Sequence, residues 1–391
     1  MIPRYAPTYT VKDLLSGLKL SSTLEIENDL IARFKSLYDV RHVFLFGSGS
    51  EAIYAILKAY NRPGPVLIPA YNCIVVPEAI QFAGYTPIFV DIDRQSLSMT
   101  AESVKKVITP DVQAIFLTHI FGIPCEIKEI LNVVHEQDIL IVEDAAPALG
   151  AEYHGQFVGS FGDSAIISFQ STKVIAGEVG GALIVNNDEL ASKVRDLQLE
   201  AKIPESSWGL FIKALARKIV TNRNVYSAAQ YSYRTMRGEQ MFEVVTPQIK
   251  MPPDYFTHCP NFAGALVLMQ MDNLDWNLSR RRKIANIYQN ELSECASLML
   301  PMIPKDCSPS WIQFPILTKY KWELYKFMQQ NQIDLTWTYR YSCADSYGYD
   351  NCTEASNAAK TLLGLPTYPS LTDLDALNIC HTVKMFLADG Q

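Results

Sequence analysis

The stretch "EDAAPALGAEYHGQFVGSFGDSAIISFQSTKVIAGEVGGALIVNN", residues 143–187, decides how the rest of the chain is read. It opens at the end of an apolar run, "DILIVEDAA" (138–146), whose last charged residue is Asp144. Two further apolar runs, "DSAIISF" and "GGALIVNN", enclose a loop of small residues with one basic side chain, Lys173, and one acid, Glu178. Short continuous apolar runs read as buried strands. A lysine set between two such strands must be paired or chemically engaged, because an isolated buried ammonium is expensive.

Working outward, the same texture recurs. "VFLF" (43–46), "PVLIPAY" (65–71), "TPIFVDI" (86–92) and "VQAIFLTHIFG" (112–122) read as strands, alternating with helical segments such as "EAIYAILKAY" and "EIKEILNVVHEQ". Continuous apolar strands alternating with amphipathic helices predict an α/β fold with a mostly parallel sheet covered on both faces. In such sheets ligands bind at the carboxyl ends of the strands. "GSGS", "YNC", "THIFG" and "EDAAPALG" occupy those places.

The bulk numbers fit an ordinary soluble globular protein. The 391 residues are 48% hydrophobic and 19% charged, with a formal net charge of −7. That length suggests two or three domains, and an acidic balance argues against nucleic-acid binding, which needs surface cations. Cysteines stand at 73, 125, 259, 295, 307, 343, 352 and 380, with no C-x-x-C pair. Scattered thiols without that spacing predict reduced cysteines and a cytoplasmic setting. No stretch has the 18 or so apolar residues of a bilayer span, and the opening segment lacks a signal-peptide pattern.

Asp144 and Lys173 together suit two chemistries. One is an ion pair. The other is a pyridoxal 5'-phosphate (PLP) site, in which the lysine amine condenses with the cofactor aldehyde and the acid keeps the pyridine nitrogen protonated. The phosphate would need backbone N–H groups at a helix start, which "GSGS" supplies, and hydroxyls, for which Ser50, Ser168, Ser171 and Thr172 are candidates.

The 143–187 stretch closely resembles the DegT-type (sugar) aminotransferase family of fold type I PLP enzymes. Four blocks carry the resemblance: "EDAAPALGA", "GSFGD", "SFQSTK" and "GEVGG", in order and at the family's spacing. "PAYNC…EAIQFAGYTPIFVDID", "DNLDWNLSRRRKIANIYQNEL" and "LGLPTYPSLTDLD" extend it from about residue 25 to the end. The resemblance implies a large PLP-binding domain over 1–285 and a smaller α+β domain over 286–391. It implies that Lys173 is the Schiff-base lysine and proton carrier, and that Asp144 pairs with the pyridine nitrogen. Ser168, Gly49, Ser50 and the amide of Glu51 would hold the phosphate. It implies a homodimer that moves an amino group from glutamate or glutamine to a nucleotide-linked keto-sugar.

The chain departs from the family at Pro147, where Gln or His is usual, and at Cys73, where an aromatic residue usually stacks on the ring; Tyr71 or Asn72 are the alternatives for that contact. Phe256 replaces an Asn that reaches the neighbouring subunit's phosphate, and the stretch 203–252 is longer and more apolar than usual. These departures leave open a different acceptor or a non-catalytic binding role.

Other features read more plainly. "FGSGSEA" fits a dinucleotide fingerprint by spelling, but no acid occurs between 52 and 77 for the ribose. His119 and Arg340 are candidate substrate-binding residues. The "SRRRK" cluster (279–283) reads as a solvated helix face, and Glu178 as a loop-shaping residue. "NFAGALVLMQMDNLDWNLSRRRKIANIYQNEL" (261–292) reads as one long helix. Residues 208–220 form an amphipathic stripe beside the basic residues Lys213, Arg217, Lys218 and Arg223. Such a helix can lie on an anionic membrane, but packing on the same chain or a partner subunit is the expected use.

Overall fold

The computed structural model describes residues 1–20, 25–204, 207–237 and 245–389. Its centre is a seven-stranded sheet built from β1 (His42–Phe46), β2 (Pro65–Pro69), β3 (Thr86–Val90), β4 (Ala114–Thr118), β5 (Leu140–Asp144), β6 (Ser164–Ser168) and β7 (Gly181–Val185), in the order β1-β7-β6-β5-β4-β2-β3. Pairing is parallel from β3 through β2, β4 and β5 to β6. β7 runs antiparallel to both β6 and β1. β4 and β7 are buried at every position, which is why they appear in the sequence as unbroken apolar runs rather than alternating ones.

The helix α1 (Val11–Leu20) precedes the sheet, and α2 (Gly49–Tyr60) follows β1 directly. Ser48 caps α2 in extended conformation, its hydroxyl accepting from the Glu51 N–H at 3.1 Å. A serine cap of this kind stabilises a helix start by about 1 kcal/mol. Asn61, at φ 54°, closes the helix in the left-handed conformation that asparagine tolerates.

The stretch 203–252 contributes α3 (Ser207–Val220) and α4 (Arg223–Arg237). α3 packs on its own chain: Ala214 is fully buried, with Leu210, Phe211 and Leu215 against Leu14, Phe262 and Leu266. Its other face leaves Trp208 and Ile212 exposed. Tyr226 of α4 is buried and donates to Asp334 Oδ2 at 2.6 Å, tying the helix to the C-terminal part of the chain.

Residues 261–292 form two helices, α5 (Asn261–Met271) and α6 (Leu274–Leu292), not one. A turn separates them, with the Asn273 N–H bonded to Gln270 O at 3.1 Å. The "SRRRK" cluster on α6 is not a solvated face. Arg281 is buried and donates to Asn277 Oδ1 at 2.7 Å and Trp311 O at 3.0 Å. Arg280 reaches Asp373, and Arg282 reaches the carbonyls of Pro309 and Gly150. Arginine is suited to this because its fork satisfies several carbonyls at once.

A two-stranded antiparallel sheet, β8 (Phe314–Leu317) with β9 (Leu362–Leu365), centres the C-terminal part. α6 runs through residue 285 unbroken. Ile2 also joins this part, donating to Gln332 O at 2.7 Å and accepting from the Asp334 N–H at 3.0 Å. Among the described residues no helix is long and apolar enough to cross a membrane.

Candidate active site

A cavity of about 330 Å³ opens at the carboxyl ends of β1, β2, β5 and β6, lined among others by Ser50, Asn72, Asp144, Ser168 and Lys173. Each side chain arrives from the loop or terminus of a parallel strand, where an α/β sheet places ligands.

Asp144 ends β5 and is 3% exposed. Its Oδ2 accepts from Thr118 Oγ1 at 3.2 Å, and its Oδ1 from the Ala146 N–H at 3.2 Å. Asn72 Nδ2 in turn donates to Thr118 Oγ1 at 3.0 Å. This chain of bonds fixes the carboxylate's orientation. Burial raises its pKa above the ordinary aspartate range, and Lys173, the Ala146 N–H, His119 and Thr118 oppose that rise. Lys173 lies in the loop after β6. Desolvation lowers its ammonium pKa, while Cys73 and Asp144 pull the other way. A lysine with a reduced pKa facing a buried acid is what amine chemistry near neutral pH requires.

At the other side of the cavity, α2 presents its N-terminus. Gly49 and Ser50 are its first residues, and their N–H groups have no partner within the helix. A Cβ at Gly49 would meet Ser168 Cβ at 3.3 Å, so the bare backbone keeps this corner open. With the hydroxyls of Ser50 and Ser168 lining the same space, the corner suits a phosphate. The residues therefore fit PLP: amine, acid and anion cradle share one cavity.

A wider cavity of about 870 Å³ shares Lys173, Cys73, Gln170 and Tyr339 with the first. Its lining includes Arg4, Arg217 and Arg340. Arg4 faces Asp334 at 3.8 Å, and Arg217 Nε bonds Glu178 Oε2 at 2.8 Å.

The structure brings together Lys173, Asp144, Ser168, Gly49, Ser50 and Cys73, and places Arg340 in the adjoining chamber. Several sequence expectations are corrected. The Glu51 amide is taken by Ser48 Oγ, and the Glu51 carboxylate accepts from the Thr257 N–H at 2.8 Å, so Glu51 shapes the loop instead of lining the cavity. Tyr71 is buried behind the wall, its hydroxyl donating to Thr338 O at 2.7 Å. Ser171 and Thr172 line the wider chamber rather than the phosphate corner. His119 is fully buried away from both cavities. Its Nδ1 accepts from the Cys125 N–H at 3.2 Å, so Nε2 carries the proton toward Glu143 at 3.1 Å. Phe256 packs on Phe46 and Tyr54 at ring distances of 5.4 and 5.3 Å.

Among the lining residues that sequence reading missed are Gln170, Lys213, Arg4 and Tyr5. Gln170 sits inside the decisive stretch without a distinguishing signal. Lys213, grouped with the basic face of α3, reaches the cofactor cavity. Arg4 and Tyr5 line the wider chamber through contacts distant in sequence.

The fold and this site define a fold type I PLP-dependent aminotransferase. The model of the DegT/DnrJ/EryC1/StrS aminotransferase family matches residues 8–384, and the chain belongs to that family. It is 23% identical to a GDP-perosamine synthase of Escherichia coli O157:H7, over 99% of each chain. It is 26% identical to the spore coat polysaccharide biosynthesis protein SpsC of Bacillus subtilis (strain 168), over 90% of this chain and 87% of the relative. In structure it is similar to the aminotransferase TlmJ from Streptoalloteichus hindustanus, with a TM-score of 0.80, 20% identity and complete coverage of both chains.

Proposed function

We propose that this chain transfers the amino group of glutamate or glutamine to a nucleotide-linked keto-sugar, with Lys173 as the proton carrier in both half-reactions. The observation that carries the reading is the shared wall: Lys173 stands between a cavity suited to the cofactor and a wider one lined by arginines. When bound, PLP supplies an aldehyde that condenses with amines and a protonated heterocycle that accepts electrons. Asp144, held by Thr118 and Ala146, keeps the proton on that heterocycle. Ser50, Ser168 and the α2 N-terminus hold the phosphate. Lys173 Nζ would take a proton from the donor carbon in one half-reaction and deliver one to the acceptor carbon in the other, the bound cofactor storing the proton and the amino group in between.

Arg340 has no hydrogen bond or ion pair among the described residues and lines the wider chamber. It is the cation free to meet a diphosphate or a donor carboxylate. The named relatives act in perosamine synthesis and spore coat polysaccharide biosynthesis, which supports a sugar acceptor. The exposed Val11 and Leu15 of α1 lie on the helix that packs beside α3, which exposes Trp208 and Ile212. A second copy of the chain is the occupant this apolar surface suits, giving a homodimer.

Borohydride reduction of the PLP-loaded protein followed by peptide mapping tests the assignment. The pyridoxyl group is expected on Lys173, and added glutamate is expected to yield pyridoxamine phosphate. A label on another lysine overturns the site. A correctly labelled protein inert to every amino acid indicates a binding role instead.

A further inference from the structure

Among the described residues lining the cavity of Lys173 and Asp144, only one is aromatic: Tyr339. It comes from the C-terminal part of the chain, not from a strand end of the large sheet. It stands with Cys73 in the wall common to both cavities. Its backbone lies at φ 47°, a left-handed conformation that a bulky residue adopts only when its surroundings enforce it.

The surroundings do enforce it. The Tyr71 hydroxyl donates to Thr338 O at 2.7 Å, the Ile74 N–H donates to the Tyr341 hydroxyl at 3.0 Å, and the Cys343 N–H donates to Ala70 O at 2.7 Å. These bonds pin residues 338–343 onto residues 70–74, the loop that carries Asn72 and Cys73. The Tyr71 ring meets the Tyr339 ring edge-on at 5.7 Å, and the Tyr341 ring meets it at 5.9 Å. The loop is thus stapled so that one ring is fixed at the cavity wall.

A planar heterocycle held between Lys173 and Asp144 exposes two faces, and a π-face is covered best by another ring. The neighbouring alternatives cannot supply one. Cys73 offers only a thiol. The Asn72 side chain is committed at both ends, to Thr118 Oγ1 and to the Cys73 N–H.

We propose that Tyr339 covers one face of the cofactor ring, so that the C-terminal part of the chain provides a contact which the loop after β2 does not. Tyr339 thereby becomes a positioning residue that makes cofactor retention depend on the seating of the 338–343 loop. The proposal rests on the cofactor lying between Lys173 and Asp144, as read above.

The test is PLP titration of the apoprotein, followed by the visible absorbance and induced circular dichroism of the bound cofactor. Tyr339→Phe is expected to match the parent within about twofold, because the π-face is retained. Tyr339→Ala is expected to bind PLP roughly three- to tenfold more weakly, as loss of one ring contact implies, with a diminished cofactor dichroic band. Should the alanine variant lose its far-UV signal, Tyr339→Leu, which keeps bulk without a π-face, carries the same expectation. Cys73→Phe added to Tyr339→Ala is expected to recover most of the affinity from the adjoining position of the same wall. Parental affinity and an unchanged dichroic band in folded Tyr339→Ala and Tyr339→Leu overturn the proposal. If borohydride mapping of the parent puts the label elsewhere than Lys173, the cofactor's placement has failed first and the proposal falls with it.

Discussion

Glu143 and Asp144 are adjacent on β5 and serve opposite faces of the sheet. Asp144 faces the cavity with Lys173. Glu143 faces away, where it accepts from the N–H groups of Gly159 at 2.7 Å, Phe161 at 2.6 Å and Gly162 at 2.9 Å, and from His119. The alternation of a strand makes one acid chemical and the next architectural.

That division separates the two substitutions. Asp144→Asn is expected to slow the half-reaction with glutamate by about a thousandfold, on the scale of losing a preorganised charge, with little change in melting temperature. Glu143→Ala orphans one buried and two partly buried N–H groups and is expected to cost about 3 kcal/mol of stability. Denaturant titration beside single-turnover kinetics distinguishes them. Equal loss of stability in both variants would contradict the assignment.

Glu51 gives a pH dependence. Desolvation raises its pKa to about 7 against the bonds from Thr257 and Ser48. The folded pKa lies above the unfolded value, so the folded state binds more protons between them. This contribution to stability is full below the unfolded pKa, near 4.5, and is lost as pH rises through about 7. Thermal melts of Glu51→Gln beside the parent from pH 5 to 8 are expected to show a shallower decline in the variant. Parallel curves would remove Glu51 as the source.

Glu178 sits at φ 73° and is 2% exposed, accepting from Tyr9 at 2.6 Å and from Arg217 at 2.8 Å. The sequence suggests a loop-shaping acid; the structure makes it the anchor that holds α1 and α3 beside the lysine loop. Arg217→Leu leaves the carboxylate with Tyr9 as its remaining side-chain donor and is expected to cost about 2 kcal/mol, less than a fully buried pair because Arg217 is partly exposed. Hydrogen exchange should rise in α3 before it rises in the sheet. Uniform exchange across both would argue against an anchor.

Gly181 begins β7 against the start of α2. A Cβ there would fall 2.6 Å from Gly49 N, 2.7 Å from Ser48 C and 2.8 Å from Ile167 O, all backbone atoms that cannot step aside. Gly181→Ala is expected to weaken PLP binding at least tenfold by displacing the phosphate corner, with a smaller loss for Ser168→Ala, which removes one hydroxyl. Isothermal titration of the apoproteins with PLP ranks the two. The reverse order would show that the cradle tolerates movement.

The sheet was legible because its buried strands are unbroken apolar runs. Lys173, Asp144 and Ser168 were picked out by the resemblance that their stretch carries, and two strand ends and one loop bring all three to one cavity. What stayed hidden depends on direction or distance. His119 follows a strand as a catalytic residue would, but its ring turns behind the sheet to Glu143. The arginines of α6 look solvated in sequence, and only the fold supplies the carbonyls of Trp311, Pro309 and Gly150 that receive them. Lys213 belongs to a basic stripe whose orientation is set by Ala214 burying against α1 and α5.

The pairing of Ile2 with Gln332 and Asp334 has a consequence for biosynthesis. The backbone of Ile2 finds these bonds only after residues 332–334 have been made, so Arg4 and Tyr5 take their places in the wider chamber later than the strands of the sheet take theirs. The doubly wound sheet can assemble on the emerging chain, whereas the chamber waits for the segment around residue 334.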